Sequence, residues 1–244
     1  MLDNPARFGV FKKPRAKVIR ETRLAKGPQD FTALEVRRLL DFATVNMRAM
    51  ILLGAQAGFG NADCAEITES AIDFRNGWID WPRSKTATFR RVPLWPETLD
   101  AIKTAMTHRP AGETLVFMGR RGVDYSSPDG GYRVAKEFSR AAKAAGIDGK
   151  GFYCLRRTFQ TRAEDAGDLV AVKAIMGHIW NENDMSARYR QNISDERLKA
   201  VVNRVHAWVW PRPLVAQGGA ESVFLTANGL PKLLTNLKRS PSRQ

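Results

Sequence analysis

Two helix signals follow one another between Phe31 and Gly58, and they fix how the folded part of the chain begins. Thr32-Ala-Leu-Glu35 is a capping box, in which hydroxyl and carboxylate each satisfy a backbone N–H left without a partner at a helix start. Phe31 and Val36 are spaced to close a hydrophobic staple over it. Val36, Leu39, Leu40 and Ala43 then recur at helical spacing. A second, apolar helix runs from about Met47 to Ala57 and stops at Gly58-Phe-Gly60. An apolar helix belongs in a core, and a chain of 244 residues that is 43% hydrophobic can bury a substantial one.

Short strand candidates come next, Gly77-Trp-Ile-Asp-Trp81 and Arg90-Arg-Val-Pro-Leu94. Between them Arg83-Ser-Lys85-Thr-Ala-Thr-Phe-Arg90 reads as a polar hairpin. Pro96 suits the first turn of a helix that carries Leu99, Ile102 and Ala105 inward. Thr114 to Met118 is a further strand or a short buried segment. Tyr132 to Ala145 predicts a helix with Val134, Phe138, Ala141 and Ala145 on one face and Gly146 as its stop. From Leu155 onward helices dominate, at about residues 155–166, 169–176, 184–191 and 194–207. The pattern predicts a mainly α protein with a small antiparallel β-sheet (α+β) over residues 31–212. Residues 1–30 read as a basic arm or linker, and residues 213–244 as a mostly disordered tail with one short helix around Leu230–Leu237.

Lys and Arg number 39 against 25 Asp and Glu, a formal net charge of +14. Such an excess concentrates polyanions and points to nucleic acid. No apolar run approaches the roughly 20 residues that span a bilayer, and the N-terminus carries no secretory apolar core. Cys64 and Cys154 are far apart in sequence and form no paired motif, which fits reduced thiols and a cytoplasmic location.

The last third of the chain carries Arg156, His178 and Tyr189, in the contexts Tyr153-Cys-Leu-Arg156-Arg-Thr-Phe159, Met176-Gly-His178 and Ala187-Arg-Tyr189-Arg190. A guanidinium makes bidentate bonds to phosphate and keeps its charge. An imidazole can donate to phosphate or exchange a proton with a phenol. A phenol oxygen flanked by Arg188 and Arg190 can become a covalent nucleophile. Lys85, near the hairpin tip, could protonate a leaving oxygen.

In this order, hairpin lysine, Leu-Arg-x-Thr-Phe, Gly-His and Arg-Tyr, the chain resembles the catalytic domain of the tyrosine recombinases, the phage-integrase family. The resemblance covers roughly residues 31–210 and includes the opening helix from Phe31 to Leu40. It implies that Tyr189 attacks the scissile DNA phosphate, leaving a 3′-phosphotyrosyl link and a free 5′ hydroxyl. Arg156 would clamp the non-bridging oxygens, His178 would assist the phenol proton or the phosphate, and Lys85 would act as general acid. It further implies double-stranded DNA as substrate, self-association on DNA, and neither metal nor cofactor.

Two departures from the family pattern stand out. Where the family places an arginine in a Gly-x-Arg-x-x-Glu stretch, this chain has Gly58-Phe-Gly60-Asn61-Ala-Asp63. Loss of one preorganised donor typically costs about 3–4 kcal/mol of transition-state stabilisation. Asn61 could still donate a neutral hydrogen bond, and Arg48, Arg91 or Arg157 are candidates to fill the gap. In addition, Tyr153 stands where the family's His-x-x-Arg box has histidine. The leader of about 30 residues is also too short for the family's N-terminal helical domain, so a fragment or a shortened copy is expected. Three readings follow: an active strand-transfer enzyme, a catalytically impaired DNA-binding remnant of a mobile element, or a generic basic nucleic-acid-binding protein whose motif matches are accidental, which the ordered match over about 180 residues disfavours.

Overall fold

The computed structural model describes residues 14–25, 27–83, 85–119, 122–125, 130–179 and 192–211. The chain divides into two units, Met1–Trp210 and Pro211–Gln244, and only Pro211 of the second is described. The expected helices at 184–191 and 230–237, the expected tail and Tyr189 lie outside the described residues. No helix among the described residues is long and apolar enough to cross a membrane.

Within the basic leader, α1 (Ala16–Ala25) forms a helix that is exposed over most of its length. The capping box then opens α2 (Ala33–Phe42) as its residues require: the Glu35 N–H donates to Thr32 Oγ1 at 3.2 Å, and the Thr32 N–H donates to Glu35 Oε2 at 2.7 Å. Thr44 caps α3 (Val45–Ala57), and ten of its residues are buried, which makes it the axis of the core. It ends at Gly58, whose φ of 65° only glycine adopts readily, with the Gly58 N–H bonded back to the Gly54 carbonyl at 3.0 Å.

A short helix absent from the sequence expectations, α4 (Asn61–Glu66), follows. Three strands then pair antiparallel in the order β1 (Ile72–Asp73), β2 (Trp78–Asp80), β3 (Arg91–Pro93), with Ile79 opposite both Ile72 and Val92. The two expected strands are present, and β1 adds an edge too short to leave a period in sequence. Helix α5 (Pro96–Met106) begins on its proline but buries Thr98, Ala101, Ile102 and Ala105, leaving Leu99 only half-buried. The face turns toward Thr98 because its hydroxyl donates to Gln56 Oε1 at 2.6 Å, while Gln56 Nε2 donates to the Pro93 carbonyl. This buried polar chain ties α3 to the sheet and to α5.

Val116 and Phe117 are fully buried just before β4 (Met118–Gly119), which pairs with β5 (Val123–Asp124). Along α6 (Gly130–Ala144), Val134, Phe138 and Ala141 face the core as their spacing requires, and Phe138 meets Phe31 and Phe152 edge-on. The C-terminal helices are α7 (Tyr153–Glu164), α8 (Leu169–Ile175) and α9 (Asp195–Val209). Helix α9 buries Leu198, Val201, Val202, Val205 and Val209 within its own unit, and the Trp95 indole N–H donates to the Val202 carbonyl at 3.1 Å. Its apolar face is therefore spent on its own core.

The crossing of α3 and α7 sets the position of the arginine discussed next. Gly54 lets the helices meet, since a Cβ there would lie 2.9 Å from Leu155 Cδ1 and 3.0 Å from Leu155 Cβ. At an open helical site Gly→Ala gains about 1 kcal/mol of propensity, whereas overpacking a core costs about 1–3 kcal/mol. The steric term dominates at this crossing. Gly54→Ala is expected to lower the urea midpoint of unfolding, and an unchanged or higher midpoint would refute the tight crossing.

Candidate functional site

Arg156 projects from the first turn of α7 into the gap between two helix ends. It is 3% exposed. Nη1 donates to the Gly58 carbonyl at 2.5 Å, and Nη2 donates to the Met176 carbonyl at 2.9 Å. Gly58 caps α3 and Met176 caps α8, so both acceptors sit at the partly negative ends of helices. Burial, reinforced by the charge of Arg83, pulls the guanidinium pKa down to about 10, which leaves it protonated at neutral pH. Tyr153 lies one turn earlier on α7, 54% exposed, with the Arg157 guanidinium 5.8 Å from its ring centroid.

The turn after α8 carries His178. Gly177 has a φ of 61°, and the His178 N–H closes the helix on the Lys173 carbonyl at 3.0 Å. The half-buried imidazole is held below its ordinary pKa of 6.5, first by burial and then by the charges of Arg156, Arg83 and Lys173. His178 thus stands in the field of Arg156.

The hairpin between β2 and β3 docks on this same turn. Thr86 Oγ1 donates to the Gly177 carbonyl at 3.2 Å. A Cβ on Gly177 would lie 2.9 Å from Arg83 Cβ and 2.9 Å from Arg90 Cγ, so the turn and the hairpin touch with no room between them. The hairpin closes through Arg83 N–H to Thr88 carbonyl at 2.8 Å and Trp81 N–H to Arg90 carbonyl at 3.0 Å. Lys85 is exposed at its tip, next to Thr86. Arg156, His178 and the Lys85 hairpin are therefore brought together, with Tyr153 at the rim, while Tyr189 lies outside the described residues.

The residues at the sequence gap are also in place. Gly60 opens α4, and its N–H donates to Asp63 Oδ2 at 2.8 Å. Asp63 Oδ1 accepts from Arg90 Nη2 at 2.9 Å, in a pair with 0% and 7% side-chain exposure. The Arg90 guanidinium lies 4.1 Å over the Phe59 ring, and burial lowers its pKa against the opposing pull of Asp63.

The arginines gathered near Arg156 are Arg83 and Arg90, not those the sequence offered as replacements. Arg48 donates to the Leu40 carbonyl, and Arg91 pairs with Asp80 and Asp195. Arg157 is exposed beside Tyr153. Strand alternation carried a signal for Arg90, which shares a buried face with Val92 while Arg91 points away. Arg83 had no such signal, because its position depends on where the hairpin lands.

The sequence profile of the phage integrase family matches residues 29–195. Comparison with curated proteins yields no match. Among solved structures, the integrase from mycobacterium phage Brujita is 24% identical over 81% of this chain and 61% of that one, with a TM-score of 0.57. XerA recombinase is 20% identical over 72% of this chain and 65% of its own, with a TM-score of 0.54. The lambda integrase catalytic core is 20% identical over 64% of this chain and 94% of its own, with a TM-score of 0.51. This chain thus spans 61% and 65% of the first two relatives, and at these identities the likeness establishes the fold, mostly helical with small antiparallel sheets. The profile match extends over more than half of the chain and takes in the α3 end, the hairpin, Arg156 and His178, so the protein belongs to the phage integrase family, the tyrosine recombinases.

Proposed function

We propose that this chain breaks and rejoins double-stranded DNA by phosphoryl transfer through Tyr189, in site-specific recombination or integration. The observation that carries this reading is the convergence of Arg156, His178 and the Lys85 hairpin on the Gly177 turn. A buried guanidinium satisfied by carbonyls keeps its full charge for a phosphate, and an imidazole beside it is neutral at pH 7. The Tyr189 oxygen attacks phosphorus, and the bond from phosphorus to the 5′ oxygen breaks. The phenol proton passes to His178, and Lys85 gives a proton to the leaving 5′ oxygen. Tyr153 donates to a non-bridging oxygen, where the family has histidine. A 5′ hydroxyl of a second strand then attacks the phosphotyrosyl link and frees Tyr189. One phosphoester bond replaces another at each step, so the reading calls for no cofactor. The net charge of +14 supplies attraction to the duplex, and binding is expected to weaken steeply with salt. The protein self-associates on DNA in this reading, through surfaces other than the buried face of α9, and works in the cytoplasm.

A second reading, a DNA-binding remnant with impaired chemistry, is favoured by Gly60, which brings no side chain to the place of the family's arginine. The two separate on a library of nicked duplexes with randomised sequence around the nick, from which the released fragment diffuses away. Wild type is expected to form adducts that survive detergent, and Tyr189→Phe none. A wild type that retards DNA in gels but forms no adduct would establish the remnant.

Lys85→Ala is expected to slow cleavage by about 10²–10⁴-fold with DNA affinity nearly unchanged. Replacing the leaving 5′ oxygen by sulfur, which departs without a proton donor, should restore most of that rate. An equal loss on both substrates would contradict the general-acid role.

His178 also makes stability depend on pH. Its folded pKa lies below the ordinary 6.5, so the unfolded chain takes up a proton first as pH falls. Its contribution is intact above 6.5 and is lost progressively as pH drops from there through the folded value. His178→Gln should flatten this part of the urea-stability profile between about pH 5 and about pH 8. A mutant profile parallel to wild type would show that His178 is not held neutral.

A further inference from the structure

On the family pattern the phosphate site of the proposed function lacks one arginine, where Gly60 and Asn61 carry no charge. We infer that Arg83 supplies the second guanidinium of that site from the hairpin, in place of the family's arginine. The inference rests on the phosphate-site reading above and concerns which residue completes it.

Contacts link the two positions. Gly60 holds Asp63, Asp63 holds Arg90, and Arg90 and Arg83 both press on Gly177, each within 2.9 Å of the same point. Arg90 itself is sealed away: Nη2 is bonded to Asp63, Nε to the Trp81 carbonyl at 3.3 Å, and the whole side chain, including an Nη1 that has no hydrogen-bond partner among the described residues, is buried over Phe59, out of a phosphate's reach. Arg83 is only half-buried, and among the described residues no carboxylate pairs with it. Its backbone is fixed at both groups, the N–H on Thr88 and the carbonyl accepting from Thr86 at 3.1 Å and from Ala87 at 2.8 Å. The side chain thus springs from a rigid base, its Cβ against the turn that carries His178.

Electrostatics agrees with this placement. Arg83 depresses the pKa of Arg156, Arg90 and His178 alike, so all four share one neighbourhood. Asp63 is the carboxylate that opposes them at both Arg90 and Arg156. Three guanidinium groups in one neighbourhood, with Asp63 opposing two of them, leave an excess of positive charge, which an oxyanion relieves. Gly60 could accept a side chain: its φ of −94° suits any residue, and a Cβ would meet Asp63 Oδ2 at an ordinary 3.4 Å.

The test uses inorganic phosphate and the three histidines of the chain, His108, His178 and His206, whose ring protons can be followed one by one by NMR. In wild type, phosphate should shift the His178 resonance saturably and leave the other two unmoved. Arg83→Met keeps the aliphatic stem against Gly177 and should weaken binding about ten-fold or more. Arg83→Lys, with charge but no fork, should fall between. Gly60→Arg placed in the Arg83→Met chain should recover most of the lost affinity. Wild-type affinity in Arg83→Met would overturn the inference while leaving the phosphate site standing. Lost affinity that Gly60→Arg does not recover, with the His108 and His206 resonances unmoved, would also overturn it and reduce Arg83 to a support for the turn. No saturable shift of His178 in wild type would remove the phosphate site, and with it the reading beneath.

Discussion

Arg156 reaches to the cap carbonyls of two helices, Gly58 after α3 and Met176 after α8. Burying an unpaired charge costs several kcal/mol, roughly, after the protein relaxes. Here the cost is offset by carbonyls at the negative ends of helix dipoles, which stabilise a cation without cancelling it. Burial and the charges of Arg83 and Arg90 pull the pKa down to about 10 against the opposing effects of Asp63 and Tyr153, so the environment is unfavourable to charge, yet not enough to remove the proton. A carboxylate partner would have held the side chain more cheaply but would also have neutralised it. The choice of acceptor leaves a fixed positive group ready for an anion.

That arrangement needs both helices to stop where they do, and glycine stops both. At Gly58 the left-handed backbone turns the chain back so that its carbonyl faces Arg156. At Gly177 the same backbone geometry releases the Met176 carbonyl, and the missing side chain admits the hairpin arginines. A single residue thus governs whether the helix end, the hairpin and the histidine meet. The packing that holds α7 against α3 rests on a third small residue, Gly54, so the site is set by close backbone approach rather than by large interlocking side chains.

Much of this was legible in the chain. The capping box, the apolar run to Ala57 and the stop at Gly58 placed α2 and α3 within about two residues, because caps and glycine breaks are local signals. Arg156, His178 and the Lys85 hairpin were singled out by the order of short motifs along the chain, each weak alone, and the fold brings these three together. Helix α4 and strand β1 were not, since six and two residues are too few to show a period. Leu99 was placed facing in, and the buried Gln56–Thr98 hydrogen bond turned α5 away from it, a tertiary effect no helical wheel contains. The replacement candidates Arg48, Arg91 and Arg157 had no placement in the sequence: Arg48 turns to the Leu40 carbonyl, Arg91 to Asp80 and Asp195, and Arg157 lies exposed beside Tyr153.

A phosphate does not register which segment of a chain presents a guanidinium to it. It responds to the number, distance and rigidity of the donors it meets. Deleting an arginine at the start of α4 and holding another on a hairpin turn are therefore compensable events, provided the hairpin is pinned. Here it is pinned twice, by its own backbone bonds and by Thr86 on the Gly177 carbonyl. The consequence is a coupling the family pattern does not require: hairpin docking would set Arg83 as well as Lys85. In such a site, loosening the hairpin would weaken phosphate binding and proton donation together, whereas an arginine carried by α4 would keep the two separate.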